Sequence, residues 1–245
     1  MKLHVFFKKK TLSSLINNRF VHAFLLNLFL GFLTFIPFII QNRGIFILCD
    51  DFNFQQIPFS MLCNDAIKSG EIFWNWNIDL GTPLIEGMSY YTLGSPLFWI
   101  SLLFPSEAYP YLVGWLYMLN YALAGLFSYS YIQRFVKEKK YALLGSILYA
   151  FSGFQAVNLL FFHFYNVVAF FPLLLIGLEE KMINHKKGLL AFSIFLNAFL
   201  NYFLFIGEVI FIILYYFIRF GNGIFKNARK FIQTTLSCIG FRNMK

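Results

Sequence analysis

Long apolar runs dominate the hydrophobic pattern of the chain. A bilayer core about 30 Å thick requires about 20 apolar residues in a helix. Five runs are therefore predicted to be membrane-spanning: residues 21–40, 109–135, 142–162, 166–178 and 189–220. The fourth run is short by itself, and the aromatic residues Phe164 and Tyr165 extend it.

The last run is long enough to be read in two ways. Its 32 residues carry polar or small residues near the middle: Asn197, Asn201, Gly207 and Glu208. A break there gives two shorter helices that return to the side where the run began, with unwound backbone lining a cavity. The alternative is one long tilted helix. We favour the break, which gives six crossings with both chain ends on the same side.

Three shorter segments complete the pattern. Residues 93–104 are apolar but too few to span, which predicts a re-entrant or interfacial helix. Residues 57–68 predict a short helix ended by Ser69 and Gly70. Residues 231–241 are weakly apolar and suit an interfacial helix. The predicted fold class is an all-α, polytopic helical membrane protein with about six transmembrane helices.

Composition and charge support this fold class and indicate which side of the membrane each segment faces. The chain is 59% hydrophobic and 13% charged, which excludes a disordered chain and a soluble domain. Of 20 basic residues, 18 lie in segments that alternate to one side, which the positive-inside rule makes cytoplasmic. The predicted divisions are a cytoplasmic N-terminus (1–20), a membrane region (21–220) with an external loop (41–107), and a cytoplasmic tail (221–245). The net charge of +9 thus reflects topology, and no nucleic-acid partner is expected.

The external loop holds seven of the 11 acidic residues and carries the candidate chemistry. Asp50 and Asp51 lie just beyond the first span, where a carboxylate pair can act as a general base, bind a divalent cation or simply be solvated. Trp74 and Trp76 suit either sugar stacking or an ordinary interfacial aromatic belt. The residues alone leave these alternatives open.

Other candidates lie outside this pair. Arg43 can contact a lipid phosphate or anchor the first span, and His163 can contact substrate or act as a polar cap. Glu208 is an ionisable residue within a span, which indicates either a functional site or an interhelical contact. Cys49 and Cys63 are both predicted external, and the sequence leaves open whether they pair.

A series of motifs resembles the YfhO-type bacterial membrane proteins. The motifs occur in the family's order and are DDFNFQQIPF (50–59), WNWN (74–77) with LGT (80–82), YTLGSP (91–96), LYAFSGF (148–154), FPLLLIGLE (171–179) and NYFLFIG (201–207). The resemblance covers about residues 20–220. Family members are usually longer, so we expect this chain to correspond to the N-terminal part of such a protein: a fragment, a truncated gene product or one half of a split protein. The sequence leaves open whether this part is active alone.

The resemblance implies a GT-C-like glycosyltransferase on the outer face of a bacterial cell membrane. Its implied partners are membrane lipid, a polyprenyl-phosphate sugar donor and a cell-envelope polymer acceptor such as lipoteichoic acid. Asp50 or Asp51 matches the catalytic base or metal-site residue, with a divalent cation as the only cofactor considered. The predicted substrate-binding residues are Arg43, Gln55, Gln56, Trp74, Trp76, Glu86, His163 and Glu208. The alternatives are a multi-span transporter or lipid flippase, and a non-catalytic membrane protein.

Overall fold

The structure is a computed structural model that describes residues 18–221, and within this range it is helical with no strand. The α-helices, in chain order, are α1 (Arg19–Gln41), α2 (Ile57–Ser69), α3 (Leu84–Met88), α4 (Pro96–Ser101), α5 (Tyr109–Ile132), α6 (Lys139–Ala150), α7 (Gly153–Val157), α8 (Phe162–Asn184), α9 (Gly188–Leu200) and α10 (Tyr202–Phe220). Two π-helical turns, Phe52–Gln56 and Ser89–Leu93, lie directly before α2 and after α3.

Four of the described helices, α1, α5, α8 and α10, are long and apolar enough to cross a membrane. The predicted class of polytopic helical membrane protein is therefore confirmed. The shorter helices α6 and α9 occupy the places of the other two predicted crossings. One end of the bundle carries residues 42–108 and is called the loop end. The opposite end, where α1 begins and α8 ends, is called the basic end.

The third apolar run, residues 142–162, is not the single helix that was predicted. Helix α6 ends at Ala150, α7 spans five residues, and α8 already begins at Phe162. Extended backbone at Ser152 separates the first two helices. The exposed carbonyl of Leu159 accepts a hydrogen bond from the Tyr117 hydroxyl at 2.8 Å. Irregular backbone at this depth is tolerated because neighbouring protein groups satisfy it.

The break predicted in the last run is present and lies at Asn201. Its backbone is extended, and its Oδ1 accepts a hydrogen bond from the Leu204 backbone N–H at 2.9 Å, which caps α10. Helix α10 then runs back to the basic end. There, Arg219 Nε contacts Glu179 Oε1 at 3.2 Å. The α9–α10 pair therefore starts and finishes at the same end of the bundle.

The short helix predicted at residues 57–68 is confirmed as α2. It ends before Gly70, whose φ of 81° lies in the left-handed region that glycine adopts without strain. The interfacial segment at residues 93–104 contains only the six-residue helix α4, which Ser95 caps by accepting from the Phe98 N–H at 3.3 Å. The helix predicted at residues 231–241 lies outside the described residues.

An aromatic core at the loop end joins residues 42–108 to the spanning helices; these residues are called the external segment after the side that the charge pattern predicts for them. Tyr117 of α5 stacks on Tyr165 of α8 with ring centroids 4.4 Å apart. Phe46 and Phe52, from the external segment, are fully buried and contact the Tyr117 ring at 5.4 and 5.7 Å. Such aromatic pairs each contribute about 0.5–1.5 kcal/mol beyond their buried area. The start of the external segment is thus held firmly against α5.

Candidate functional site at the loop end

The two predicted catalytic carboxylates lie at the tip of a closed turn. The Asn53 side chain closes it, because its Oδ1 accepts from the Leu48 N–H at 3.2 Å and its Nδ2 donates to the Leu48 carbonyl at 3.0 Å. Asp50 is exposed and Asp51 is half-buried between these anchor points. Two such hydrogen bonds contribute about 1 kcal/mol each. The turn therefore presents both acids in a defined arrangement.

Backbone geometry and burial reinforce this arrangement. Asp50 has a φ of 44°, in the left-handed region that Asp tolerates better than most residues. The ring of Phe52, which directly follows the pair, is fully buried. On the other side, the Phe46 backbone N–H donates to the Pro110 carbonyl at 2.9 Å. The acids are therefore fixed to the start of α5 from both sides.

Gln56 and His163 are separated by 107 residues in sequence and lie in contact in the structure. Gln56 Oε1 accepts from the Phe162 N–H at 3.2 Å and lies 3.4 Å from His163 Nδ1. Since a backbone N–H can only donate, the oxygen of Gln56 faces Phe162, and in the tautomer protonated at Nδ1 His163 donates to the same oxygen. Gln56 Nε2 is buried without a partner among the described residues. It is an unused donor on the π-helical turn that directly follows Asp51.

A ring of aromatic residues from the external segment and α10 surrounds His163. Tyr90 lies 4.9 Å from the His163 ring and 5.5 Å from the Tyr202 ring. The Tyr90 hydroxyl also faces the side chain of Asn201, whose buried Nδ2 forms no hydrogen bond of ordinary geometry. Burial raises the pKa of Tyr90, and the Asn201 side chain partly offsets that rise. The helix break thus contributes directly to this site.

The other predicted substrate-binding residues of the external segment are solvent-accessible, and no described contact joins them to the acids. Arg43 and Glu86 are exposed, and Gln55 is half-exposed. Trp74 and Trp76 form an exposed edge-to-face pair with centroids 5.5 Å apart. The pair packs over a glycine turn next to the Asn75–Thr82 bridge. It forms an aromatic surface separate from the His163 cluster.

Glu208 lies apart from the acidic turn and the His163 cluster, within the spanning helix α10. It is 7% exposed, and neither carboxyl oxygen has a partner among the described residues. It lines a cavity of about 250 Å³ whose other walls are mainly aromatic and aliphatic, including Tyr149, Phe154 and Phe211. An unpaired ionisable residue at this depth is costly, about 2.5–3.5 kcal/mol on insertion scales. Glu208 is therefore a candidate for a functional site, and no interhelical partner of its carboxyl group is found among the described residues.

The resemblance implies a divalent cation near Asp50 and Asp51, which would require a group of ligating side chains there. Within residues 18–221, no group of three or more His, Cys, Asp or Glu side chains could hold a metal ion. Asp50 and Asp51 supply at most two carboxylates, so an ion such as Mg²⁺ would need water and substrate phosphate as further ligands. The protein alone does not form a complete cation site in the described region.

The two cysteines of the external segment are free and do not form the disulfide that the sequence left open. Cys49 is exposed beside the acids, and its pKa is raised by partial desolvation and by the neighbouring Asp50 carboxylate. Cys63 is fully buried, and burial raises its pKa to about 12. Of these two cysteines, Cys49 alone is accessible to thiol chemistry.

Several contributors to the site were missed by sequence reasoning. Asn53 closes the acid-bearing turn, although the sequence shows it only as one letter of the motif at 50–59, and Tyr90, which directly precedes the motif at 91–96, packs on His163. A polar cavity of about 410 Å³ also lies beside α2, with Asp65 and Glu71 among its lining residues. In the sequence, this cavity is indicated only by the charged residues of a long loop. The residues that line it come together only when the chain folds.

The fold and the exposed acidic turn define a polytopic helical membrane protein with a structured segment at one membrane face. Comparison with protein families sharpens this class. The family model described as "Bacterial membrane protein YfhO" matches residues 7–241. The chain therefore belongs to the YfhO family of bacterial membrane proteins. No match was found among curated proteins or among solved structures.

Proposed function

We propose that this protein is a membrane glycosyltransferase of GT-C-like type that acts at the outer face of the bacterial membrane. The donor would be a sugar linked to polyprenyl phosphate, and the acceptor a hydroxyl of a cell-envelope polymer such as lipoteichoic acid. The observation that carries the proposal is the Asn53-closed turn, which presents Asp50 and Asp51 at the loop end. Family membership supports the same assignment.

The proposed chemistry is a single group transfer in which one of the two carboxylates acts as general base. The carboxylate of Asp50 or Asp51 takes the proton from the acceptor hydroxyl, and the acceptor oxygen forms a bond to the sugar C1. The bond between C1 and the phosphate oxygen breaks, and polyprenyl phosphate leaves. General-base assistance of this kind contributes about 10²–10⁴-fold in rate.

Gln56 and His163 are suited to orient the reacting groups. The unpartnered Gln56 Nε2 can donate to a phosphate or sugar oxygen, which removes the penalty of about 1–3 kcal/mol for a buried unpaired donor. His163 Nδ1 is turned toward Gln56, which leaves its Nε2 as a hydrogen-bond acceptor. Trp74 and Trp76 offer exposed ring faces for a sugar of the acceptor chain. Arg43 would contribute positive charge near the leaving phosphate.

The proposal is tested in membranes of the bacterium that encodes the chain, with its gene deleted and a variant supplied. Radiolabelled glucose, galactose and N-acetylglucosamine on polyprenyl phosphate are offered with lipoteichoic acid. Asp50→Asn with Asp51→Asn should abolish incorporation of the label. Asp79→Asn is the matched control, because Asp79 is also an exposed acid of the external segment, with a φ of 49°. Undiminished transfer by the double variant would overturn the proposal.

Lipid transport remains the second candidate because of Glu208. A buried carboxyl without partners among the described residues, lining a largely apolar cavity beside the spanning helix α10, also suits a transporter or flippase. Reconstitution into vesicles with a fluorescent lipid separates the two functions. Lipid movement that Glu208→Gln abolishes and the Asp50/Asp51 double variant leaves intact would favour transport.

A further inference from the structure

The strongest unassigned feature is a cavity at the basic end, about 510 Å³ in volume. It lies between the start of α1, the end of α5 and the start of α6. We propose that this cavity is a binding site for the headgroup of an anionic phospholipid. The proposed site is on the opposite end of the bundle from the acidic turn, so it stands independently of the proposed function.

The charges of the lining residues set the ligand class. The cavity is lined by four basic residues, one acidic residue and His22, which leaves a net charge of +3 with the histidine neutral. The basic residues are Arg19, Lys137, Lys139 and Lys140. A concentration of positive charge between membrane helices, at the cytoplasmic level predicted by the charge pattern, favours phosphate-bearing lipid headgroups.

Existing contacts use only part of this charge. Lys140 pairs with Glu138 at 2.7 Å, and Lys139 donates to the Gln133 carbonyl at 2.6 Å. Within the described residues, neither Arg19 nor Lys137 has an ion pair or a hydrogen bond from its side chain. These two cations are therefore available for a ligand.

Two further groups in the cavity wall lack partners. Tyr129 lines the cavity and is 1% exposed, and its buried hydroxyl has no hydrogen-bond partner among the described residues. Helix α6, 12 residues long, starts at the same wall with no side chain capping its first turn. Free N–H groups at a helix start favour anions. A headgroup phosphate would pair with Arg19 and Lys137, and a headgroup hydroxyl could satisfy Tyr129.

The cavity's position favours a lipid over free phosphate as the ligand. Its walls include Leu143 and the edge of Tyr129, which packs against the Phe20 ring at 5.6 Å. Phe20 is itself exposed on the α1 surface that would face lipid. A phospholipid can place its phosphate among the basic side chains while its acyl chains lie along this apolar surface.

The test is a calorimetric titration of the purified full chain in detergent. Short-chain phosphatidylglycerol is the probe, with phosphatidylcholine of the same chain length and inorganic phosphate in separate arms. Wild-type protein should bind phosphatidylglycerol and neither of the others comparably. Arg19→Gln with Lys137→Gln should raise the Kd about 25-fold, since each basic residue near an anionic lipid contributes about fivefold.

Two further variants separate a specific site from general charge. Lys186→Gln with Lys187→Gln removes the same charge at the basic end but outside the cavity, and should change the Kd by less than about twofold. Tyr129→Phe removes only a hydroxyl that has no protein partner, and should weaken binding severalfold without loss of folding. Equal losses in both double variants, or phosphate binding as tightly as the lipid, would overturn the proposal. Unchanged binding after Tyr129→Phe would also contradict it.

Discussion

Gly94 is the point where the external segment meets the helix break, and its replacement by alanine is a sharp test of the fold. A Cβ built at Gly94 would overlap the carbonyl oxygen of Phe199 and lie 3.0 Å from that of Leu200. Both atoms are backbone and directly precede Asn201, so they cannot move as a flexible side chain could. The φ of −71° at Gly94 suits alanine, which leaves space as the only obstacle.

Overpacking of this kind destabilises by about 1–3 kcal/mol. For a chain of this length, such a loss lowers Tm by roughly 2–12 °C. Scanning fluorimetry of the detergent-purified chain measures it, with Gly207→Ala as the control. A Cβ at Gly207 meets nothing within 4 Å, and alanine favours a helix, so that variant should keep or raise its Tm. A Gly94→Ala protein as stable as wild type would refute the contact between the external segment and the break.

Two further predictions concern single side chains: the labelling of the cysteines and the replacement of Glu208. An impermeant maleimide should label Cys49 of intact cells while Cys63 stays unmodified, because Cys63 is buried and its pKa is raised to about 12. Asp50 raises the Cys49 pKa, so Asp50→Asn should lower it and speed labelling at neutral pH; an equal or slower rate would contradict the contact. Glu208→Leu replaces an unpartnered buried carboxyl and should raise Tm by roughly 2–12 °C, since relieving such a group is worth about 1–3 kcal/mol. A fall in Tm would indicate that Glu208 has a stabilising partner.

The two polar interruptions of the apolar runs show what sequence can predict of the fold. The break at Asn201 was predicted because several polar residues interrupt that run. The break at Ser152 was not predicted: polar or small residues (Ser152, Gly153, Gln155 and Asn158) also interrupt residues 142–162, but the 21 residues of this run fit a single span. Hydropathy reports which medium surrounds a segment, whereas the backbone path through Ser152 depends on neighbours such as Tyr117 that satisfy the freed carbonyls.

For the candidate site, too, the sequence predicts where residues lie along the chain but not which distant residues come into contact. The position of Asp50 and Asp51 beyond the first span follows from the length of the run and the charge pattern. The contact between Gln56 and His163 joins residues 107 positions apart and requires the packing of α8 against the external segment. The separation of Arg43, Glu86 and the tryptophan pair from the acids likewise depends on turn geometry, because residue types alone do not give distances between side chains.

The proposed role of the acidic turn is proton transfer by one of its carboxylates during glycosylation. It is measured directly as kcat and KM for sugar transfer by Asp50→Asn and Asp51→Asn separately, with the donor that supports transfer by wild type. We expect one variant to lose kcat about 10²–10⁴-fold at nearly unchanged KM, while Asp79→Asn keeps both constants. Wild-type kcat in both variants would contradict it.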